Sequence, residues 1–234
     1  MTSSDYKKAK EVVTEVCNRN DLHGKVSITQ LYWTALEYPQ YHVRYTYSEK
    51  TYDDQTVRLE KETTFKDDWS YHSRILPEYK EAFLEQKSIK ELEDKIEEQL
   101  KKQSLGLPIN FFSFLGNFYP DEKEAILDSI AKQNIKEGKK DFAGYYQIPF
   151  QTLIDQELVD MTIFVDDSAS VTTDQDLKKA AKKLDASDLP DGSYSFYYSN
   201  HKDDSEDTLS YSFKVKDGKV VFYEDQQDGL EDQN

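Results

Sequence analysis

The stretch YHVRYTYSEKTYDDQTVRLEKETTF, residues 41–65, contains two runs in which apolar and polar side chains alternate. The apolar parity holds Val43, Tyr45, Tyr47, Val57, Leu59 and Phe65. Successive side chains of a strand point to opposite faces of a sheet. The pattern therefore predicts two antiparallel strands with one buried face and one face in water.

A helix and a further strand are expected before this stretch. Apolar residues recur at helical spacing from Tyr6 to about Asn18, with Ser4 or Asp5 as the expected N-cap. Cys17 lies on the apolar face of this helix, which is typical of a packed core residue. The run KVSITQLYWTAL, residues 25–36, has the composition of a strand. The chain is thus expected to begin with a helix and an antiparallel meander.

An aromatic segment is expected to interrupt two helical regions in the middle of the chain. Residues 77–103 carry a helical stripe, which a capping box at Ser88 and Glu91 would divide into two helices. The segment LPINFFSFLGNFYPDE, residues 107–122, follows and contains the rings of Phe111, Phe112, Phe114, Phe118 and Tyr119. No basic cluster accompanies these rings, which disfavours a membrane contact. We expect the segment to be buried as an apolar plug between two modules.

The next region allows two interpretations. A helix is expected from Pro120 to Gly138, with Ile126, Ile130 and Ala131 facing the core. The runs GYYQIPFQTLI and LVDMTIFVDD then alternate, which favours a hairpin that turns at residues 155–157. The alternative is a short helix over residues 149–159, because the apolar residues there also fit the helical period.

The chain is expected to close with a helix from Thr173 or Asp174 to Leu184 and three strands, SYSFYYS, TLSYSFKVK and KVVFY. Asp217-Gly218 between the last two runs is a strong hairpin signal. The order of a helix followed by a meander therefore occurs twice. The predicted fold class is α+β, with two helix-plus-antiparallel-meander modules packed together. The predicted division is residues 1–104, residues 105–225 and a disordered acidic tail at 226–234.

The net charge of −16 is concentrated in the last part of the chain, where residues 141–234 hold 8 Lys/Arg and 21 Asp/Glu. This balance argues against nucleic acid as a partner. Acidic residues near the predicted strand ends are the candidate partner-binding residues: Asp166, Asp167, Asp203, Asp204, Glu206 and Asp207. If their loops share an edge, we expect them to form one docking patch for a cationic protein partner.

No motif for catalysis or for cofactor binding occurs in the sequence. The four histidines do not fall at zinc-ligand spacing, and GxSxG, P-loop and GxGxxG motifs are lacking. Asp185, Asp188 and Asp191 are three residues apart, whereas the acidic residues of a calcium loop are two apart. We therefore predict no catalytic residue, no cofactor, no metal and no direct membrane insertion. The predicted partner is a protein.

The beginning of the chain leaves the compartment open. The residues MTSSDYKKAK contain no apolar stretch of a signal peptide. The expected location is extracellular or at the cell surface if a leader has been removed, and otherwise cytoplasmic. A single cysteine, which excludes an internal disulfide, suits both.

The composition, rich in Lys, Asp, Glu, Tyr and Gln, and modules such as YHVRYTYSEKTYDDQTVRLEKETTF resemble ectodomains of uncharacterised lipoproteins and secreted proteins of low-GC Gram-positive bacteria. The resemblance implies a cell-surface location. The expected function is a non-enzymatic protein-binding protein of the cell surface. One alternative is an immunity or inhibitor protein that neutralises a basic toxin or enzyme through its acidic second module. The other alternative is a hydrolase that uses a carboxylate pair.

Overall fold

The computed structural model describes residues 1–35, 40–70, 76–117, 121–200 and 207–223. The helices are α1 (Ser3–Arg19), α2 (Lys87–Lys102), α3 (Asp121–Lys136), α4 (Phe150–Asp155) and α5 (Asp174–Ala181). The strands are β1 (Lys25–Thr34), β2 (Gln40–Lys50), β3 (Thr56–Lys66), β4 (Ile109–Gly116), β5 (Val159–Val165), β6 (Gly192–Asn200), β7 (Asp207–Lys216) and β8 (Lys219–Val221). Two 3-10 segments cover Leu76–Glu85 and Asp141–Gly144. The fold class is α+β, as predicted.

The chain divides into two compact units, and each unit combines two separate stretches of sequence. The first unit holds residues 1–87 and 125–148, and the second holds residues 88–124 and 149–234. The first four residues of α3 therefore group with the second unit and the rest with the first. The predicted division after residue 104 concerns independent folding, and it stays a prediction.

Thr2 is the N-cap of α1, so the expected caps Ser4 and Asp5 are wrong. The Thr2 hydroxyl accepts the Asp5 backbone N–H at 3.3 Å, and the Asp5 carboxylate accepts the Thr2 N–H at 2.6 Å. This reciprocal capping box needs the hydroxyl three residues before the acid, and only Thr2 meets that condition.

The first unit contains the predicted antiparallel meander, with strands in the order β1, β2, β3. Tyr47 of β2 lies beside Val26 of β1 and Leu59 of β3. The predicted faces are confirmed at the centre of the sheet, where Val43, Tyr45 and Tyr47 are buried. The helix α1 packs on β1 through its buried residues, which are Ala9, Val13, Val16 and Cys17.

The run GYYQIPFQTLI, residues 144–154, does not form the expected strand, and a left-handed turn at residues 142–144 leads into it. Phe142 and Ala143 have φ of 43° and 49°, a conformation that costs roughly 1–2 kcal/mol for each L-residue. The backbone N–H of Phe142 donates to Glu49 at 3.1 Å. Gly144 follows with φ of 88°, and a Cβ there would lie 2.4 Å from the Ala131 carbonyl oxygen, so glycine is required.

The predicted hairpin over residues 144–167 is therefore wrong, and the helical alternative is right for its first half. Residues Phe150–Asp155 form α4 after Pro149, whereas β5 forms as predicted. Pro149 has no N–H for a sheet ladder. Phe150 also packs edge-on against Phe114, with ring centroids 4.9 Å apart, which fixes the helix on the second unit's sheet.

The inward face of α3 also differs from the prediction. Ala131 is buried as predicted, but Ile126 is exposed, and Leu127 and Asn134 occupy inward positions that were not predicted. The Asn134 side-chain amide donates to the Gly144 carbonyl at 2.8 Å, so a polar residue occupies part of the buried stripe. The buried stripe of α3 is therefore shifted by about one residue from the stripe that the hydrophobic pattern predicted.

The second unit contains a five-stranded sheet with the strand order β4, β5, β6, β7, β8. β5 and β6 are parallel, and α5 lies in the connection between them, while the other neighbours are antiparallel. The helix α5 begins at Asp174, as predicted, and Thr173 is its N-cap, in a capping box with Asp176. The helix ends at Ala181 instead of Leu184, because backbone bonds from Lys183 and Leu184 to residues three positions earlier tighten the last turn.

Residues Ile109–Gly116 of the aromatic segment form β4 of this sheet, within the second unit, whereas the sequence predicted a plug between two modules. Phe112 and Phe114 are only 2% exposed, which confirms them as core residues, but Phe111 is 40% exposed. Phe118 and Tyr119 lie outside the described residues. The sequence run is apolar on both parities of β4, which hides the alternation that identifies a strand with one open face.

The predicted hairpin at the end of the chain is confirmed. Asp217 and Gly218 have φ of 50° and 69°, the positive values that a tight two-residue turn requires, and they join β7 to β8. The tail predicted from residue 226 lies outside the described residues. None of the helices in the described part of the chain is both long and apolar enough to cross a membrane.

Candidate ligand-binding face of the second unit

One face of the five-stranded sheet is core and the other is open. The core face carries large buried side chains from four strands: Phe112, Phe114, Met161, Ile163, Tyr194, Phe196, Phe213 and Val215. The alternate residues of the same strands form the open face. The register orders these residues in rows that run across the strands, and the rows differ in chemistry.

The first row is aromatic and holds Phe111, Phe164 and Tyr197. The rings of Phe111 and Phe164 stack with centroids 4.2 Å apart, and Tyr197 meets Phe164 edge-on at 5.5 Å. Such cross-strand pairs stabilise a sheet. These rings therefore pack chiefly on one another, and they stiffen one end of the open face.

The second row consists of hydroxyl groups from four neighbouring strands, Ser113, Thr162, Ser195 and Ser212. Thr162 Oγ1 and Ser195 Oγ are 3.3 Å apart, and Ser113 donates to Glu93 at 2.7 Å. The row reflects the alternation of serine with aromatic residues in SYSFYYS and TLSYSFKVK. The consecutive strands β6 and β7 thus present their serines side by side.

A cavity of about 390 Å³ lies over this row and the next one. Its polar lining comes from Asn117, Asp160, Thr162, Ser193, Ser195 and Ser212. Leu115 and Tyr223, which are 42% and 41% exposed, lie at its two sides. This volume is within the range of small-molecule sites.

Several polar groups of the cavity have unused hydrogen-bonding capacity. The side chains of Asn117, Asp160, Ser193 and Ser212 make no hydrogen bond or ion pair with another described residue. Lys214 lies beside Ser193, but its Nζ contacts the Glu157 carboxylate at 3.2 Å. We name the six polar residues of the lining, Asn117, Asp160, Thr162, Ser193, Ser195 and Ser212, the polar floor.

The free edge of β4 is covered by carboxylates of α2. Glu93 accepts the backbone N–H of Phe114 at 2.9 Å, and Glu97 accepts that of Phe112 at 3.1 Å. Glu93 and Glu97, one helical turn apart, thus reach the outward N–H groups of two alternate residues of the strand. The hydrogen bond from Lys101, and to a smaller extent that from Phe112, holds the pKa of Glu97 below its usual value.

The structure describes only part of the predicted acidic patch. Asp166 and Asp167 follow β5, where the Asp166 carboxylate accepts the Ser168 N–H at 2.8 Å and Asp167 is exposed. Asp203, Asp204 and Glu206 lie outside the described residues, and Asp207 is the first residue of β7, with its side chain outside the described part. Phe164 pairs with Tyr197 in the parallel register, so Asp166 and the start of β7 lie at the same end of the sheet. A patch that joins all six residues stays a prediction.

Sequence reasoning missed the polar floor. The floor lies toward the start of β5 and β6, at the opposite end from Asp166 and Asp167. The alternation of serine in β6 and β7 could have indicated a polar face. Asp160 and Thr162 lie beside these serines only because β5 pairs with β6 in parallel, which the sequence did not reveal. That pairing links residues 33 positions apart.

The first unit has a polar cluster on its open face that is satisfied internally. His42 stacks on Tyr32 with ring centroids 4.5 Å apart, and Glu62 accepts hydrogen bonds from Arg44 and Tyr32 at 2.6 and 3.0 Å.

Cys17 is buried, with its Sγ 3.9 Å from the Tyr79 hydroxyl. Within the described ranges, no group of three or more His, Cys, Asp or Glu side chains is arranged to hold a metal ion.

Comparisons with known proteins add little. No protein-family model matches the chain, and no curated protein matches it. A solved structure of a DUF5037 family protein from Ruminococcus gnavus ATCC 29149 aligns over 90% of this chain and 91% of its own, with 12% identity and a TM-score of 0.32. At that similarity the match carries no argument about function.

Proposed function

We propose that this protein is a non-enzymatic binding protein and that the cavity over the polar floor is its ligand site. The observation that carries the proposal is the set of unused polar groups on Asn117, Asp160, Ser193 and Ser212 around one cavity. Burial of polar groups by a ligand is favourable only when the ligand forms hydrogen bonds with them. A floor with unused donors and acceptors therefore selects a ligand that can make such bonds.

The hydrolase alternative has less support at this site. Acid/base hydrolysis of a glycosidic bond uses two carboxyl groups about 5–9.5 Å apart. Among the described residues that line the cavity, Asp160 is the single carboxylate. The immunity or inhibitor alternative concerns the other end of the sheet, where Asp166 and Asp167 lie, and it stays a second proposal.

A cavity-blocking substitution tests the binding site without knowledge of the ligand. Ser195→Trp places an indole on the floor, and Ser199→Trp is the matched control on the same strand and face, outside the lining. Both immobilised variants and the parent would be incubated with lysate and culture fluid of the organism that encodes the protein. We expect a partner that the parent and Ser199→Trp retain and Ser195→Trp loses. Retention by Ser195→Trp would reject the cavity as the binding site.

A further inference from the structure

We infer that the ligand of this cavity is a neutral saccharide, an inference that rests on the proposed binding function. The polar floor consists of serine and threonine hydroxyls, one amide and one carboxylate. Hydroxyls and amides both donate and accept hydrogen bonds, and a carboxylate accepts at two oxygens. This set matches a ligand whose surface is covered with hydroxyl groups.

The charge of the lining disfavours an anionic ligand. None of the described lining residues is lysine, arginine or histidine. The nearby Lys214 is engaged by Glu157, and Asp160 places a negative charge on the floor. A phosphate or carboxylate group would therefore meet repulsion without a compensating cation. Asp160 instead suits two neighbouring sugar hydroxyls, because charge-assisted hydrogen bonds are stronger than neutral ones.

The sides of the cavity fit the apolar faces of sugar rings. Leu115 on β4 and Tyr223 just after β8 are about two-fifths exposed on either side of the floor. Neighbouring strands lie about 4.8 Å apart, so the four spacings from β4 to β8 make the face roughly 19 Å wide. An extended ligand that crosses the strands can contact the Tyr223 ring and the floor together. A short oligosaccharide, or the end of a longer glycan, has this shape.

A peptide fits the site less well. Peptides that add to a sheet use a free strand edge for backbone hydrogen bonds. At β4, Glu93 and Glu97 already accept the outward N–H groups of Phe114 and Phe112. The six residues of the polar floor present hydroxyl, amide and carboxylate groups, which suit an apolar peptide side chain poorly.

A glycan array that holds neutral and anionic oligosaccharides tests this inference, with the full chain as the probe. We expect binding to neutral members, which would then be measured by titration calorimetry. Asp160→Asn should weaken that binding by about tenfold or more, because it removes a charge-assisted hydrogen-bond acceptor. Ser195→Trp should abolish binding. Asp167→Asn, an exposed residue after β5 and outside the lining, is the control and should bind as the parent does.

The outcomes separate this inference from the proposed function. Binding restricted to anionic glycans, or neutral binding that Ser195→Trp leaves intact, would overturn the saccharide assignment. The absence of array binding would also overturn it; if Ser195→Trp still loses a partner in the capture experiment, the cavity remains the binding site for another ligand class. If Ser195→Trp retains its partner, the proposed function itself fails.

Discussion

Neighbouring phenylalanines of β4 have opposite environments. Phe112 and Phe114 point into the core of the second unit, whereas Phe111 points to the open face and stacks on Phe164. Phe114 also meets Phe112 and Phe150 edge-on, with centroids 5.0 and 4.9 Å apart. The chemical identity of these residues is the same, so any difference in their contribution to stability comes from position.

We expect Phe112→Ala or Phe114→Ala to lower the free energy of unfolding by about 3–5 kcal/mol, because each leaves a cavity in the core. Phe111→Ala should cost about 1 kcal/mol, the value of one aromatic pair. Urea denaturation followed by circular dichroism measures all three variants. Equal unfolding midpoints for the parent, Phe112→Ala and Phe114→Ala would contradict the assignment of these rings to the core.

Two glutamates of the first unit have pKa values displaced in opposite directions. Burial raises the pKa of Glu49 above 4.5, although hydrogen bonds from Tyr47 and Phe142 oppose the shift. Hydrogen bonds from Arg44 and then Tyr32 lower the pKa of Glu62 below 4.5. The folded protein therefore holds the Glu49 proton more tightly than the unfolded chain does, and the Glu62 proton less tightly.

These shifts predict opposite pH dependences. The stabilisation from Glu49 should increase as pH falls through its raised pKa toward about 4.5, whereas that from Glu62 should be present above about 4.5 and decrease as pH falls through its lowered pKa. The measurement is the difference in unfolding free energy between the parent and Glu49→Gln, and between the parent and Glu62→Gln, from pH 7 to pH 3.5. Differences that change in the same direction would contradict one of the two environments.

At the scale of secondary-structure elements, α2 protects the edge of the second unit's sheet. Glu93 and Glu97 occupy the hydrogen-bonding positions that a further strand would use beside β4. Natural proteins commonly cover or charge such edges because unpaired N–H and C=O groups promote association. The helix thereby satisfies β4 without adding a strand.

We expect the double variant Glu93→Ala/Glu97→Ala to raise the apparent mass relative to the parent, because the N–H groups of Phe112 and Phe114 become available to another chain. Light scattering coupled to size-exclusion chromatography over a concentration series measures this. Asp94→Ala/Glu98→Ala removes the same charge from exposed positions of α2 and is the matched control. An increase of similar size in both double variants would point to lost charge repulsion rather than to an open edge.

At the scale of the whole molecule, the first unit depends on a distant stretch of sequence. Side-chain contacts join residues 1–87 to residues 125–148, among them Glu49–Phe142, Asp53–Tyr146, Lys80–Asp128 and Gln86–Ile148. Lys80 is nearly buried, and its Nζ lies 2.8 Å from the Asp128 carboxylate. Loss of a contact between a buried charge and its counter-ion is strongly destabilising.

Two fragments test which part of the chain folds independently. One is residues 1–104, the module predicted from the sequence, and the other is the first unit of the structure, residues 1–87 with 125–148. Residues 1–104 lack all of these partners from 125–148, so we expect this fragment to unfold without a cooperative transition. Residues 1–87 joined to 125–148 by a flexible Gly/Ser linker contain the whole first unit and should unfold cooperatively. Calorimetry measures both. A sharp transition for residues 1–104 alone would favour the boundary predicted from sequence.

Local patterns in the sequence were sufficient to predict much of the fold. The alternation in residues 41–65, the Asp217-Gly218 turn and the start of α5 at Thr173 all depend on interactions within a few residues, and all three are observed. The open polar face of the meander followed from the same alternation. Side-chain parity and turn conformation are properties of short segments, which is why a single sequence reveals them.

Tertiary structure alone decided the elements whose local signals conflict, and with them the candidate site. Residues 150–155 fit a strand or a helix, and packing of Phe150 on Phe114 selects the helix. The run Ile109–Gly116 is apolar on both parities, so its pairing with β5 shows that it is a strand. Thr162 and Ser195 share a floor because β5 and β6 pair in one particular register, and burial of an entire face sets that register. No local property of either strand contains that information.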